Sequence, residues 1–226
     1  MRSLPRAIWP CIAIAIASAW IWSFTTPMFH PPDEAFHTGY VKYLVEAGKI
    51  PRRPDATPPK PVPPPELVSA LRIVRFSAES TPPFDPALSR RLEHGLSGRV
   101  GRIEESTVGP AANNPPLYYL YEALPYLATR SANLFDRMTA MRLVSSLLAG
   151  LTVAFTFLFV RELLPRQPWA WTLGALAVAL QPVFGFVSGS INPDGLLWVA
   201  SAAVLLAGAR ILRRGLSWRR AGGMAL

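Results

Sequence analysis

The chain has 226 residues, 50% hydrophobic and only 16% charged, with a mean hydropathy of +0.24 and a formal net charge of +9. Its apolar residues are bunched into long runs, which points to membrane spans and away from a water-soluble fold. Between Met28 and Arg137 lie 13 basic and 12 acidic residues, so almost all the excess charge falls outside that segment and the pI near 10.4 is no footprint of nucleic-acid binding.

The first run, Ala7 to Phe24, has no charge over 18 residues and predicts a transmembrane helix over 7–27. Arg2, Arg6, the run itself and Ala17-Ser18-Ala19 also fit a cleaved secretory signal. Against that, Trp20-Ile21-Trp22-Ser23-Phe24 carries the apolar stretch past the cleavage site, as a retained span with interfacial tryptophans does. The single cysteine, Cys11, lies inside the run, so no disulfide framework and no cysteine metal site is available. Arginine outnumbers lysine 20 to 3, a weak pointer to a GC-rich bacterial genome.

Residues 28–139 form one long connection. The stretch Asp33 to Ala47, followed by Gly48, predicts a helix over 33–47. Phe36, Tyr40, Tyr43, Leu44 and Ala47 recur at spacings of three and four, and this single apolar stripe lays the helix on the membrane surface. Asp33 and Glu34 stand in its first turn, where unpaired backbone donors and the helix dipole favour negative charge, and capping alone would account for them. His37 falls to the polar, wet face. Residues 51–65, PRRPDATPPKPVPPP, hold eight prolines in fifteen and predict a stiff extended spacer. Residues 66–112 suggest no chemistry.

A second surface helix over 115–129 follows from NNPPLYYLYEALPYL. Asn113 or Asn114 caps it and Pro115 or Pro116 suits its first turn. Leu117, Leu120, Tyr121 and Leu124 form its stripe, and Tyr118, Tyr119, Tyr121 and Tyr126 suit headgroup-level anchors.

Three further spans fall within residues 140–214: Leu143 to Val160, Trp169 to Asn192, and Leu196 to Ala209, the last lengthened by Gly195 and the snorkelling stem of Arg210. Gln181-Pro182 predicts a kink in the third span. With four crossings, Arg2 and Arg6, Arg161 and Arg166, and the arginines from 210 to 220 share one side, the cytoplasmic one by the positive-inside rule. The N-terminus and the tail, residues 215–226, are then cytoplasmic, while residues 28–139 and 190–195 face outward. The expected fold is thus an all-α membrane protein of about four transmembrane helices, whose long first outer loop carries interfacial amphipathic helices.

Three outward features can meet at that surface: Asp33 with Glu34, the helix start at Asn114, and the NPDG turn at 192–195, which brings Asp194 back to the same face. A carboxylate there acts as a general base on a hydroxyl, or holds a divalent cation through oxygen ligands. His30, Asp33 and His37 lack a further strong ligand for a dedicated metal site. NPDG is equally served by a turn in which Asp194 caps the fourth span. No charged residue lies deep in any span, which weighs against an ion-coupled carrier.

An N-terminal span, PPDEAFH heading a surface helix, a long outer loop, NNPPLYYL, a helix entering the membrane with RLVSSLLAGLTV, and NPDG after the third span together resemble the GT-C superfamily of polytopic glycosyltransferases. The likeness is to bacterial membrane proteins related to the protein O-mannosyltransferases and the lipid A aminoarabinose transferases, and runs from about residue 7 to 214. The Asp-Glu pair is its most specific element. It implies a bacterial inner-membrane enzyme with a polyprenyl-phosphate sugar donor and a cell-envelope acceptor. The first-loop acid, Asp33 with Glu34 beside it, is then the catalytic base. His37, Asn114, Tyr118 and Asp194 are candidates for substrate binding, and Arg142 for stabilising the departing phosphate. The cofactor is unknown, a divalent cation at Asp33 being one option.

Members of that superfamily are longer, with many more spans, so the chain is expected to be an N-terminal portion, inactive without its C-terminal part or a partner subunit. The other reading is a non-catalytic membrane protein that binds a lipid or envelope partner through its outer loop.

Overall fold

The computed structural model describes residues 4–51, 87 and 109–215. The proline-rich spacer beyond Pro51, nearly all of residues 66–108 and the tail after Gly215 lie outside the described residues. Every regular element described is helical: α1 (Ile8–Thr25), α2 (Glu34–Ala47), a 3-10 turn (Gly109–Asn113), α3 (Leu117–Ala128), α4 (Leu134–Leu163), α5 (Pro168–Ala179), α6 (Pro182–Ser188) and α7 (Asp194–Arg214). Helices α1, α4 and α7 are each long and apolar enough to cross a membrane, and α5 with α6 makes a fourth crossing if the pair is one span. The protein is an all-α membrane protein with three to four spanning helices.

The α5–α6 junction bends by 62° where the sequence predicts a kink. Pro182 has no N–H to continue a helical ladder, and it pushes the preceding Gln181 out of the helical region to φ −67°, ψ 118°. The chain therefore leaves one helix after Ala179 and starts another with Pro182 in its first turn.

The chain divides into two compact units. The first comprises residues 1–23, 145–190 and 194–226. Here α1 turns Ile8, Cys11, Ala15, Ala19 and Ser23 inward at spacings of three and four, against Ala149, Val153 and Phe157 of α4, Ala175 and Ala179 of α5, and Phe184 of α6. Small residues on these faces let the backbones approach, the usual means of packing helices in lipid. Gly189 takes this furthest: a Cβ there would run into the Ala19 carbonyl and come within 3.0 Å of the Ser23 nitrogen. The buried Ser23 hydroxyl lies 3.0 Å from the Ala19 carbonyl and 2.9 Å from that of Gly189, tying the same two segments together. Within α4 the hydroxyls of Thr152 and Thr156 donate to carbonyls one turn back, those of Leu148 and Thr152. Large apolar side chains on the outer faces, Trp9 and Ile21 of α1, Leu151 of α4, Leu197 and Leu205 of α7, are exposed, as a lipid-facing belt requires.

The second unit comprises residues 24–144 and 191–193, with α2 packed on α3 and on the 3-10 turn. Its two short helices correct the expected stripes. From Glu34 to Lys42 every residue of α2 except Phe36 is buried, including the polar His37, Thr38 and Lys42, whereas Phe36, Tyr43 and Leu44 are half-buried and Ala47 is exposed. His37 is therefore not on a wet face. On α3 the leucines at 117, 120, 124 and 127 are all exposed, while Tyr118, Tyr119 and Tyr126 point inward rather than serving as headgroup anchors. The two helices instead meet through their polar and aromatic side chains: Tyr119 stacks on Tyr40 and lies 2.9 Å from His37, and the Tyr126 hydroxyl donates to Glu46.

Candidate functional site

The segment Phe29-His30-Pro31-Pro32-Asp33-Glu34 brings the chain from α1 to α2. Two residues in it other than glycine take left-handed backbone, Phe29 at φ 67° and Asp33 at φ 58°. Aspartate tolerates that region, but phenylalanine there is an outlier that surrounding contacts must hold. They are present: the Phe29 N–H donates to Glu34 Oε2 at 2.8 Å, and its buried ring meets Phe135 edge-on at 6.3 Å between centroids. Asp33 caps α2 with its backbone alone, its carbonyl accepting the N–H groups of Phe36 at 2.9 Å and His37 at 3.0 Å, with no side-chain cap bond.

Between them these turns send adjacent carboxylates to opposite environments: Asp33 is exposed and Glu34 is 0% exposed. Glu34 is paired with Arg142, also 0% exposed, through Nε to Oε1 at 2.7 Å and Nη2 to Oε2 at 2.6 Å. Oε1 further accepts the Ile191 N–H at 3.2 Å. Arg142 also donates to the carbonyls of Thr26 at 2.7 Å and Pro27 at 3.1 Å. Within the second unit one buried ion pair thus fastens Arg142 to Thr26, Pro27, the loop before α2 and Ile191. Beside it, burial and the Arg142 charge hold the His30 imidazole below its ordinary pKa, against an opposing pull from Glu34.

Around the exposed Asp33 stands a second group centred on Tyr119. Its hydroxyl accepts from Asn114 Nδ2 at 2.8 Å and lies 2.9 Å from His37 Nδ1. Which of the two donates in the contact with His37 follows the imidazole tautomer. Tyr40 stacks on the Tyr119 ring at 3.6 Å and 8°, and Tyr118 meets it edge-on at 5.4 Å. Burial pushes the Tyr119 hydroxyl up to about 12 against the Asn114 bond, with further upward contributions from Tyr40 and from the Asp33 charge. Among the described residues the buried Tyr40 hydroxyl has no hydrogen-bond partner.

Of the residues singled out in the sequence, Asp33, His37, Asn114 and Tyr118 therefore gather about Tyr119, and Glu34 and Arg142 form a pair of their own. Asp194 opens α7 in the first unit, directly after the Ile191–Pro193 stretch. No group of three His, Cys, Asp or Glu side chains fit to hold a metal ion occurs among the described residues. Sequence reasoning overlooked Tyr119 and Tyr40 as members of the site. The signal was available: Tyr119, Glu122 and Tyr126 recur at three and four on the face of α3 opposite its leucines.

A further ionic cluster stitches α2, α3 and α4 together. Lys42 Nζ donates to Glu46 Oε1 at 2.9 Å, the Tyr126 hydroxyl donates to the same oxygen at 2.5 Å, and Arg137 reaches the Tyr126 hydroxyl at 2.5 Å while lying over its ring at 5.0 Å. Charged groups so deeply placed keep one another company because none is stable alone.

No curated protein and no solved structure matches the chain. One family model does, that of a predicted membrane protein, DUF2142, over residues 17–226. With apolar helices of spanning length and a match over nearly its whole length, the chain belongs to the DUF2142 family of predicted membrane proteins.

Proposed function

We propose that the chain carries the acceptor-activating end of an integral membrane glycosyltransferase of GT-C type, which moves a sugar from a polyprenyl-phosphate donor to a cell-envelope hydroxyl at the membrane surface. The observation that supports this best is the divergence of two neighbouring carboxylates, Asp33 exposed and Glu34 buried on Arg142 and two backbone N–H groups. A general base has to be reachable and also fixed, and a left-handed residue anchored by the next side chain meets both needs. In the reaction Asp33 takes the proton of the acceptor hydroxyl and the oxygen attacks the anomeric carbon. The bond from that carbon to the phosphate oxygen breaks, and polyprenyl phosphate leaves with the electron pair. His37, Asn114 and Tyr118 bind the sugar, and Glu34 and Arg142 are positioning residues.

The test is Asp33→Asn introduced in the gene at its own locus, with transfer from polyprenyl-phosphate sugar measured in membranes matched for protein level. The expected loss is about 10²- to 10⁴-fold, the usual contribution of a positioned base. Undiminished transfer would overturn the catalytic role. It would favour the second reading, a non-catalytic lipid- or envelope-binding protein, for which the exposed leucine ridge of α3 speaks.

A further inference from the structure

A cluster of arginines away from the acidic loop encloses a cavity of about 560 Å³ in the first unit. Its walls come from the last turns of α4 and α7 and from α5, and include Arg161, Glu162, Trp171, Arg210, Arg213 and Arg214. Basic residues at span ends are ordinary topological markers, but markers have no reason to converge. These do. Arg214 grips Glu162 with two bonds of 2.9 and 2.5 Å, and Arg213 donates to the Glu162 carbonyl and stands 3.9 Å from its carboxylate. Arg210 lies 4.0 Å from the same carboxylate, and Arg161 sits over the Trp171 ring at 5.4 Å. One carboxylate offsets one of four guanidinium charges, leaving an excess of positive charge in a space of ligand size.

We propose that this cavity binds the phosphate of an anionic membrane lipid, with guanidinium forks on the headgroup and acyl chains against the neighbouring apolar surface. Its lining is cationic and apolar at once, since Leu158 and Trp171 share it with the arginines. Leu212, between Arg210 and Arg213 in the chain, is 86% exposed, and Trp169 and Leu163 are exposed as well. Exposed apolar side chains beside arginines suit the depth at which headgroup phosphate passes into hydrocarbon, and basic pockets between spans take anionic headgroups there. A soluble phosphate compound would have no use for that apolar rim.

The experiment is native mass spectrometry of the whole chain in mild detergent supplied with equal amounts of phosphatidylglycerol and phosphatidylcholine. Phosphatidylglycerol is expected to be retained preferentially, and Arg210→Gln with Arg213→Gln to lower its retention by about 30-fold, from the usual worth of two arginines near a membrane surface. Glu162→Gln, which removes the internal counter-charge, is expected to leave retention equal or higher. Equal retention of the two lipids, or no change in the glutamine pair, overturns the proposal. So does displacement of the lipid by equimolar glycerol 3-phosphate, which would identify a soluble phosphate as the occupant. Should the glutamine pair not fold, Arg213→Lys carries the test: it keeps the charge but not the fork, retention is expected to fall, and unaltered retention overturns the proposal.

Discussion

Arg142 holds Glu34 by two parallel bonds of 2.7 and 2.6 Å, although 108 residues separate them in the chain. Glu34 in turn holds the backbone of Phe29 and of Ile191, so the conformation that leaves Asp33 exposed is set from α4.

Removing one partner of this pair strands the other. Glu34→Gln is expected to cost about 3–5 kcal/mol, the range for breaking a buried ion pair, and Glu34→Leu with Arg142→Met to cost much less than the sum of the single changes. Asp33→Asn is expected to stay within about 0.5 kcal/mol of the parent, since it is exposed and asparagine accepts left-handed backbone. Denaturant midpoints of the purified protein in detergent check these variants, and an Asp33→Asn midpoint as low as that of Glu34→Gln would refute the division of labour.

Tyr119 and Tyr121 should ionise late, both being pushed up to about 12 mainly by burial. Phenol absorbance followed against pH should show that late step shrinking in Tyr119→Phe, and Asp33→Asn should bring the Tyr119 step to lower pH because the Asp33 charge raises it. For a group whose folded pKa is raised, the linked stability is whole below about 10 and is lost as pH climbs through about 12, so unfolding in that window is the expected accompaniment.

His30 works in the opposite direction. Its folded pKa is lowered from 6.5 by burial first and Arg142 second, so the unfolded chain binds the proton more readily. Its contribution to stability is present above about pH 6.5 and fades as pH falls through the folded value. Thermal unfolding between pH 8 and pH 5 should show that acid loss in the parent and less of it in His30→Gln, and identical profiles would rule the histidine out.

Gly189→Ala should loosen the contact of α1 with the end of α6. The added Cβ meets backbone rather than a yielding side chain, and the shift would also strain the Ser23 bond to the Gly189 carbonyl. The expected cost is about 1–3 kcal/mol by the same denaturant assay. Gly208→Ala, where a Cβ meets nothing within 4 Å, is the control expected to hold or gain slightly.

The helical class and the apolar runs were legible because lipid imposes length and composition on any segment that crosses it. The break before Pro182 was legible because proline acts locally. The faces of α2 and α3 were not, since the burial of His37, Lys42, Tyr119 and Tyr126 rests on contacts between the helices that the periodicity of one helix does not reveal. Leu117 and Leu124, each 65% exposed, are the plainest instance. The bond from Arg142 to Glu34 was not legible, because nothing near Arg142 in the sequence reveals a partner 108 positions away. Separation in the chain likewise hid Tyr40 beneath Tyr119, one stacking contact between two tyrosine-bearing helices that sequence periodicity treats separately.

The long reach from Glu34 to Arg142 also bears on how the chain is made. At ordinary rates of synthesis the carboxylate leaves the ribosome roughly 5 to 20 s before its guanidinium, and the Ile191 donor comes later still. Through that interval Glu34 has the Phe29 N–H beside it but lacks its guanidinium, so the ion pair that buries α2 cannot close until Arg142 has been made. Maturation of the acidic loop is therefore a late event, timed by the arrival of the second long span rather than by its own emergence.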